Sequence, residues 1–404
     1  MGRMLENHTK TLLYENGLAV PQFKVAASVD EVRQAADELG GKVVLKALVP
    51  VGKKGKAGAV KFADGAEEAG EAAAGLLGTT VRFFPVEKIL VEQKLEIEQE
   101  LFVSITLDKM RRCPVVLAST AGGMDVEEIA AQYPEKMRVI PLDPFEGLPE
   151  YKCREIWTEL GLSGGLLREA ASYLYRLYQV FARYEATVLE INPLAVTPEG
   201  KVVAAGALMA VDDAAVFRHP ELKDYVQLGS ERAWRPLTEL EKEVVAVNEA
   251  DPYRGTARYT EMEDGDIGFM CGGGGGSLMV FDTLLSYGGR PANYTEFGGN
   301  PPERKVFGLV KTILSKPGVK GLLVDANITN NTQVDLVAQG IVRALKEKGI
   351  DPRKFPVVVR LAGVNDAEGR RILAEAGVEY YGEEMSMSQA ARRMVEKMRE
   401  AYGG

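Results

Sequence analysis

Five consecutive glycines, Gly272 to Gly276, close a strand-like run and open a helical one. Without side chains, the backbone can approach an anion and aim several N–H groups at it. The helix dipole adds roughly 0.3–1 kcal/mol of preference for negative charge. Gly273 and Gly274 are taken as the pair that meets a substrate. A tight turn without ligand is the alternative, and the run matches neither the Walker pattern nor a dinucleotide fingerprint. Asn327, Thr329, Asn330, Asn331 and Thr332 cluster before another helical run. Their amides and hydroxyls suit a carboxylate or hydroxyl ligand, and one of them suits plain N-capping. Arg360 ends an apolar run, which places a cation where such strands end; a surface ion pair is the competing reading. Glu190 and Asn192 stand two residues apart, hence on one face of a strand. Two oxygen ligands there can hold Mg²⁺ if substrate phosphates supply the rest. Lys46 and the run Lys53, Lys54, Lys56 and Lys61 can meet phosphates, or can simply be solvated. The two histidines, His8 and His219, lie outside the glycine loops, so no histidine nucleophile is evident.

These groups need elements to hold them. Residues 5–16, 29–40 and 164–184 carry apolar positions at helical spacing, the first two ending at glycine. Residues 42–49, 88–95, 100–108 and 114–120 read as strands, and 186–197 as a strand broken by Pro193. Residues 220–264 are polar with no sustained apolar period, and 236–264 is taken as a linker. From Asp266 onward, strand, loop and helix alternate regularly, which implies a parallel sheet with helices on both faces. Such sheets bind ligands beyond the carboxyl ends of their strands, so 272–276, 296–302, 327–332 and 361–366 are the loops to watch. NITNN is expected as one of these loops.

Bulk properties narrow the class. A chain of 404 residues predicts two or three domains. The formal net charge of −9 argues against a nucleic-acid partner, which needs a basic face. Three scattered cysteines form neither a metal pattern nor a disulfide framework and fit a reducing, cytoplasmic setting. No apolar run approaches the ~18–20 residues of a membrane span.

The motifs converge on a family. KGKAGAVK at 54–61, ILVEQ at 89–93, QELFVS at 99–104, LASTAGGMDVE at 117–127, EINPL at 190–194, VFRHPEL at 216–222 and VVVRLAGVND at 357–366 occur in order. Together they resemble the β subunit of succinyl-CoA synthetase and its relatives, end to end. The resemblance implies an α/β chain: an ATP-grasp domain over 1–235, with a subdomain near 20–105, then a flavodoxin-like doubly wound CoA-ligase domain over 265–404. It implies nucleotide contacts from Lys46, Lys53, Lys54, Gly55, Glu92 and Glu100. Glu190 would support a relay histidine and Asn192 would hold Mg²⁺. That histidine would belong to a companion α-type, CoA-binding subunit, with ATP, CoA and a di- or tricarboxylate as the small-molecule partners.

Two departures qualify the resemblance. The family's glycine–arginine–glycine reads Lys53-Lys54-Gly55 here, and its second Mg²⁺ ligand, an aspartate, falls at Ala205 or Gly206. Asp212 and Asp213 lie too far along to replace it. The second half resembles citryl-CoA synthetase and ATP-citrate lyase more than succinyl-CoA synthetase, which carries an asparagine where Gly272 stands. By position, Asn330, Thr332 and Arg360 would then hold citrate, and citrate is favoured over succinate. A regulatory subunit that senses nucleotide or acyl-CoA through a decayed site is a further reading.

Overall fold

The computed structural model describes residues 2–52, 54–227 and 235–403. The chain divides into two compact units, Met1–Pro236 and Leu237–Gly404.

The first unit holds two main antiparallel sheets. The larger runs Met137–Pro141, Cys113–Ser119, Gln99–Asp108, Ala186–Val196, Ala207–Val211, Gly2–Met4 and Val226–Gln227, with Val202–Ala204 also paired to Ala186–Val196. Its strands alternate inward residues such as Leu101, Val103 and Ile105, which pack with helices Glu150–Glu159 and Gly164–Arg183 around the buried Trp157. The smaller sheet orders Phe23–Ala26, Ile89–Gln93, Lys42–Ala47 and Val60–Asp64, backed by helices Val29–Glu38 and Ala66–Ala74. Ser28 caps the first of these helices by accepting the Glu31 N–H at 3.2 Å. Pro193 does not break its strand. Ala186–Val196 runs through it, because the ladder with Gln99–Asp108 shifts register between Ile191 and Leu194 and so requires no N–H from proline.

The second unit is one six-stranded sheet in the order Ala257–Glu261, Asn293–Phe297, Ile267–Gly272, Gly321–Gln333, Val357–Val364, Glu379–Tyr381. The last five strands are parallel and follow the 2-1-3-4-5 order of the flavodoxin-like doubly wound fold. Both faces are covered. Phe269, Cys271, Leu323 and Val358 pack against helices Gly274–Ser286 and Met387–Tyr402. Met270, Val324, Val357 and Val359 pack against Glu303–Ser315, Val334–Glu347 and Asp366–Glu375.

Two expectations are corrected here. The stretch read as a linker forms helix Glu239–Glu249 and the antiparallel edge strand Ala257–Glu261. Its polarity is that of elements buried on one side only, such as an edge strand that buries Ala257 and Tyr259 alone. NITNN is not a free loop: it continues strand Gly321–Gln333 with two register shifts, pairing Ile328 with Ala362 and Gln333 with Val364.

Candidate functional site

In the first unit, helix Glu6–Glu15 carries charge on the face that should be apolar. Glu6, Thr9, Lys10 and Leu13 follow the i, i+3, i+4, i+7 stripe, and all four are buried. Lys10 Nζ donates to Glu92 Oε1 and, at 2.8 Å, to the Ala205 carbonyl. Lys46 Nζ lies 2.9 Å from Glu6 and 2.7 Å from Glu92, and also donates to the Ala205 carbonyl. Lys54 reaches Glu6 at 3.0 Å. Among the described residues, Lys10, Lys46 and Lys54 thus face Glu6 and Glu92 in a nearly dry cluster. Burial pushes the Glu6 carboxyl up, but Lys46, Lys54 and Lys10 overcome it and hold the group well below its usual range. Burial, with the charge of Lys46, lowers Lys10, whereas Glu6 and Glu92 raise Lys46 despite its burial. Ammonium groups gathered in this way suit an anion.

Of the expected nucleotide residues, Lys46, Lys54 and Glu92 therefore come together. Glu92, only 2% exposed, acts as a counterion that aims the lysines. Gly55 sits exposed in the adjoining turn, and Lys53 lies outside the described residues. Lys56 is not simply solvated; it pairs with Asp125 at 2.7 Å and Glu128 at 2.6 Å.

A second group forms around Gly123, whose N–H donates to Asn192 Oδ1 at 2.9 Å while Asn192 Nδ2 donates to the Met124 carbonyl at 2.9 Å. A Cβ on Gly123 would stand 2.1 Å from Glu100 Oε2, so Glu100 belongs to this group. Glu190 is half-buried on the central strand, opposite Ser104 and Leu208. As a resident Mg²⁺ site the set does not fit. The Asn192 amide is committed to backbone, and a Cβ at Gly206 would meet the Asn192 carbonyl oxygen at 2.0 Å, so this backbone accepts no aspartate there. Among the described residues, no three His, Cys, Asp or Glu stand together as ligands.

Neither histidine stands free. His8 stacks on Tyr225 with ring centroids 4.7 Å apart, and burial lowers its pKa. His219 Nε2 lies 3.0 Å from Glu185.

In the second unit, the loops beyond the strand ends converge as the fold requires. Gly273 has φ of 90°, and Cβ atoms on Gly273 and Gly276 would meet the Asn327 amide at 3.0 and 2.7 Å. Gly274 lies beside Glu296, which Tyr294 approaches at 3.4 Å. Thr332 is buried, and its hydroxyl accepts the Asn300 N–H at 3.1 Å. Asn330 is exposed. Arg360 is 4% exposed and donates Nε to the Met385 carbonyl at 2.9 Å and Nη1 to the Ala326 carbonyl. The sequence reading missed Glu6, Lys10, Glu296 and Asp325. The i, i+4 charges in the helical stripe and the acid inside the apolar run GLLVDA were the available signals.

Comparison with known proteins places this geometry. An ATP-grasp domain model matches residues 3–196, and the model for the citrate-binding region of ATP citrate lyase matches residues 235–397. The succinate–CoA ligase (ADP-forming) β subunit of Ignicoccus hospitalis is 39% identical over 393 residues, covering 97% of this chain and 98% of its own. That of Pyrobaculum calidifontis is 38% identical, covering 98% and 99%. A GDP-forming β subunit from Thermus thermophilus is 37% identical, covering 96% and 98%. The ATP citrate lyase of Methanothrix soehngenii, solved with citrate and coenzyme A, shares the fold with a TM-score of 0.79 at 22% identity, covering 98% of this chain and 100% of its own. The chain belongs to the acid–CoA ligase β-subunit superfamily and is related to both its succinate–CoA ligase and its ATP-citrate lyase branches. It is an enzyme of the ADP-forming acid–thiol ligase family. Among the described residues, no helix is long and apolar enough to cross a membrane.

Proposed function

We propose that the chain is the nucleotide- and acid-binding subunit of a succinate–CoA ligase. It would work with an α-type, CoA-binding partner whose histidine carries the phosphoryl group. The observation that carries this reading is the near-complete coverage by succinate–CoA ligase β subunits at 37–39% identity. Nucleotide phosphates would meet Lys46, Lys54 and Gly55, joined by Lys53 as the resemblance implies, beside the buried lysine cluster. Glu100 would lie beside them. Mg²⁺ would arrive with the nucleotide as part of the substrate. The phosphoryl group would pass from nucleotide to the partner's histidine, oriented by Glu190, and then to the acid's carboxylate. The thiol of CoA would attack the resulting acyl phosphate. The acid would sit beyond the strand ends of the second unit, at Gly273, Gly274, Asn330 and Arg360, with Thr332 holding the floor through Asn300.

Citrate remains the second reading, favoured by the match of residues 235–397 to a citrate-binding model. Against it stands the end-to-end similarity to succinate–CoA ligase β subunits. The test is to reconstitute the complex with its co-purifying α-type chain and compare kcat/KM for succinate, citrate and malate, before and after Asn330→Ala. Succinate preferred, with its KM raised by Asn330→Ala, supports the proposal. Citrate preferred, with a loss of tenfold or more in the variant, transfers the chain to the second reading. Acyl-CoA formation by the pure subunit alone would refute the need for a partner.

A further inference from the structure

Five residues at neighbouring strand ends form one row across the second sheet. Register pairs Glu296 with Cys271, Cys271 with Asp325, Asp325 with Arg360, and Arg360 with Tyr381. Leu323 and Val358, two residues upstream of Asp325 and Arg360, pack under helices Gly274–Ser286 and Met387–Tyr402. Strand alternation puts Asp325 and Arg360 on that same face. Asp325 is fully buried. Its Oδ1 accepts the Ala326 N–H at 2.8 Å, and its Oδ2 is buried without a hydrogen-bond partner.

An ionised carboxylate next to a guanidinium normally takes paired hydrogen bonds from it. Here Arg360 gives Nε and Nη1 to the carbonyls of Met385 and Ala326 instead, and Nη2 makes no hydrogen bond among the described residues. Asp325 and Arg360 thus stand side by side in the row with no hydrogen bond between them among the described residues. Burial raises Asp325 to about 8, against the opposing pull of Arg360 and the Ala326 N–H. The other titratable groups facing it are Cys271, whose thiol is pushed up by burial and by Asp325 itself, then Glu296 beyond Cys271 and Tyr381 beyond Arg360. Neither covering helix has an acidic residue in its first turn.

We infer that Asp325 is a positioning residue for Arg360: neutral, it leaves the guanidinium available to the carboxylate of the acid substrate, and ionised, it takes the guanidinium for itself. The inference rests on the proposed role of Arg360 in binding the acid. Linkage then makes the coupling mutual. A substrate carboxylate offsets the field of Arg360 at Asp325 and so favours its proton, and loss of that proton weakens acid binding. If only the protonated form binds, KM for the acid rises about tenfold between pH 7 and pH 9.

The experiment measures KM for succinate from pH 6.5 to 9.5 with the reconstituted complex, for wild type, Asp325→Asn and Arg360→Lys. Any titration of the CoA thiol is common to all three proteins. The expected result is a steep rise in wild type, a flat profile in Asp325→Asn, and a raised KM at every pH in Arg360→Lys. Should Asp325→Asn keep the wild-type slope while Arg360→Lys raises KM, the acid-binding reading stands and the role of Asp325 is overturned. Should Arg360→Lys leave KM unchanged, the acid-binding reading fails first and takes this inference with it. If Asp325→Asn does not fold, wild type decides alone: a KM that does not vary between pH 7 and pH 9 overturns the inference.

Discussion

Glu6→Gln keeps the shape of the side chain and removes one charge from the centre of the buried lysine cluster. The carboxylate is 7% exposed and lies 2.9 Å from Lys46, 3.0 Å from Lys54 and 3.3 Å from Lys10. Without it, three ammonium groups face Glu92 alone. Removing one partner of a buried ion pair destabilises by about 3–5 kcal/mol. Lys54 is 12% exposed and can turn toward water, and burial already favours neutral Lys10, so the lower end applies. For a unit of this size, about 3 kcal/mol corresponds to a fall in Tm of roughly 6–12 °C. The fluorescence of Trp157, fully buried in the same unit, reports the transition in a Trp234→Phe background. Because the folded pKa of Glu6 is depressed, its contribution is complete above the ordinary carboxylate range and disappears as pH falls through the folded value. The gap between wild type and variant should therefore close only well below pH ~4. Saturating Mg–nucleotide, by supplying negative charge, should restore much of the lost Tm. A shift of less than about 2 °C, or a gap already closed at pH 5, would refute the account of the cluster.

Other expectations follow from single contacts. Gly206→Asp should lower Tm and confer no Mg²⁺ affinity on the nucleotide-free protein, because its Cβ collides with the Asn192 carbonyl; tight Mg²⁺ binding in calorimetry with the fold intact would show that the strand can yield. Thr332→Val should lower stability by about 1–3 kcal/mol in urea denaturation by orphaning the Asn300 N–H, whereas Thr332→Ser should not. Equal loss in both variants would place the effect in packing instead of the hydrogen bond.

The second unit was the more legible half, because each strand there is a short apolar run followed by a loop and an amphipathic helix, and because parallel strands force the active loops to one end. Its polar leading segment was misread because Ala257–Glu261 is an edge strand with one buried face, although Thr238 and Glu241 already spelled a capping box. Pro193 was misread because a bulge, invisible in sequence, accommodates it. In the candidate sites, residue types told which groups are polar but not where their hydrogen bonds go. Lys46 and Lys54 were singled out, yet Glu6 and Lys10, which cluster with them, were passed over, because a helical stripe was scored for apolar residues only. Thr332 and Arg360 were read as polar groups facing a ligand, and the structure shows that each also bonds backbone of a distant loop, which residue type alone does not reveal.

The glycine loop carries an evolutionary consequence. Asn327, on the neighbouring strand, occupies the space that side chains at Gly273 or Gly276 would need, and Gly272 is crowded by Ala326 and Phe297. This chain brings its amide over the helix start from residue 327. A side chain gained at position 273 or 276 therefore requires a smaller residue 327 first, so substitutions at these positions should appear in that order.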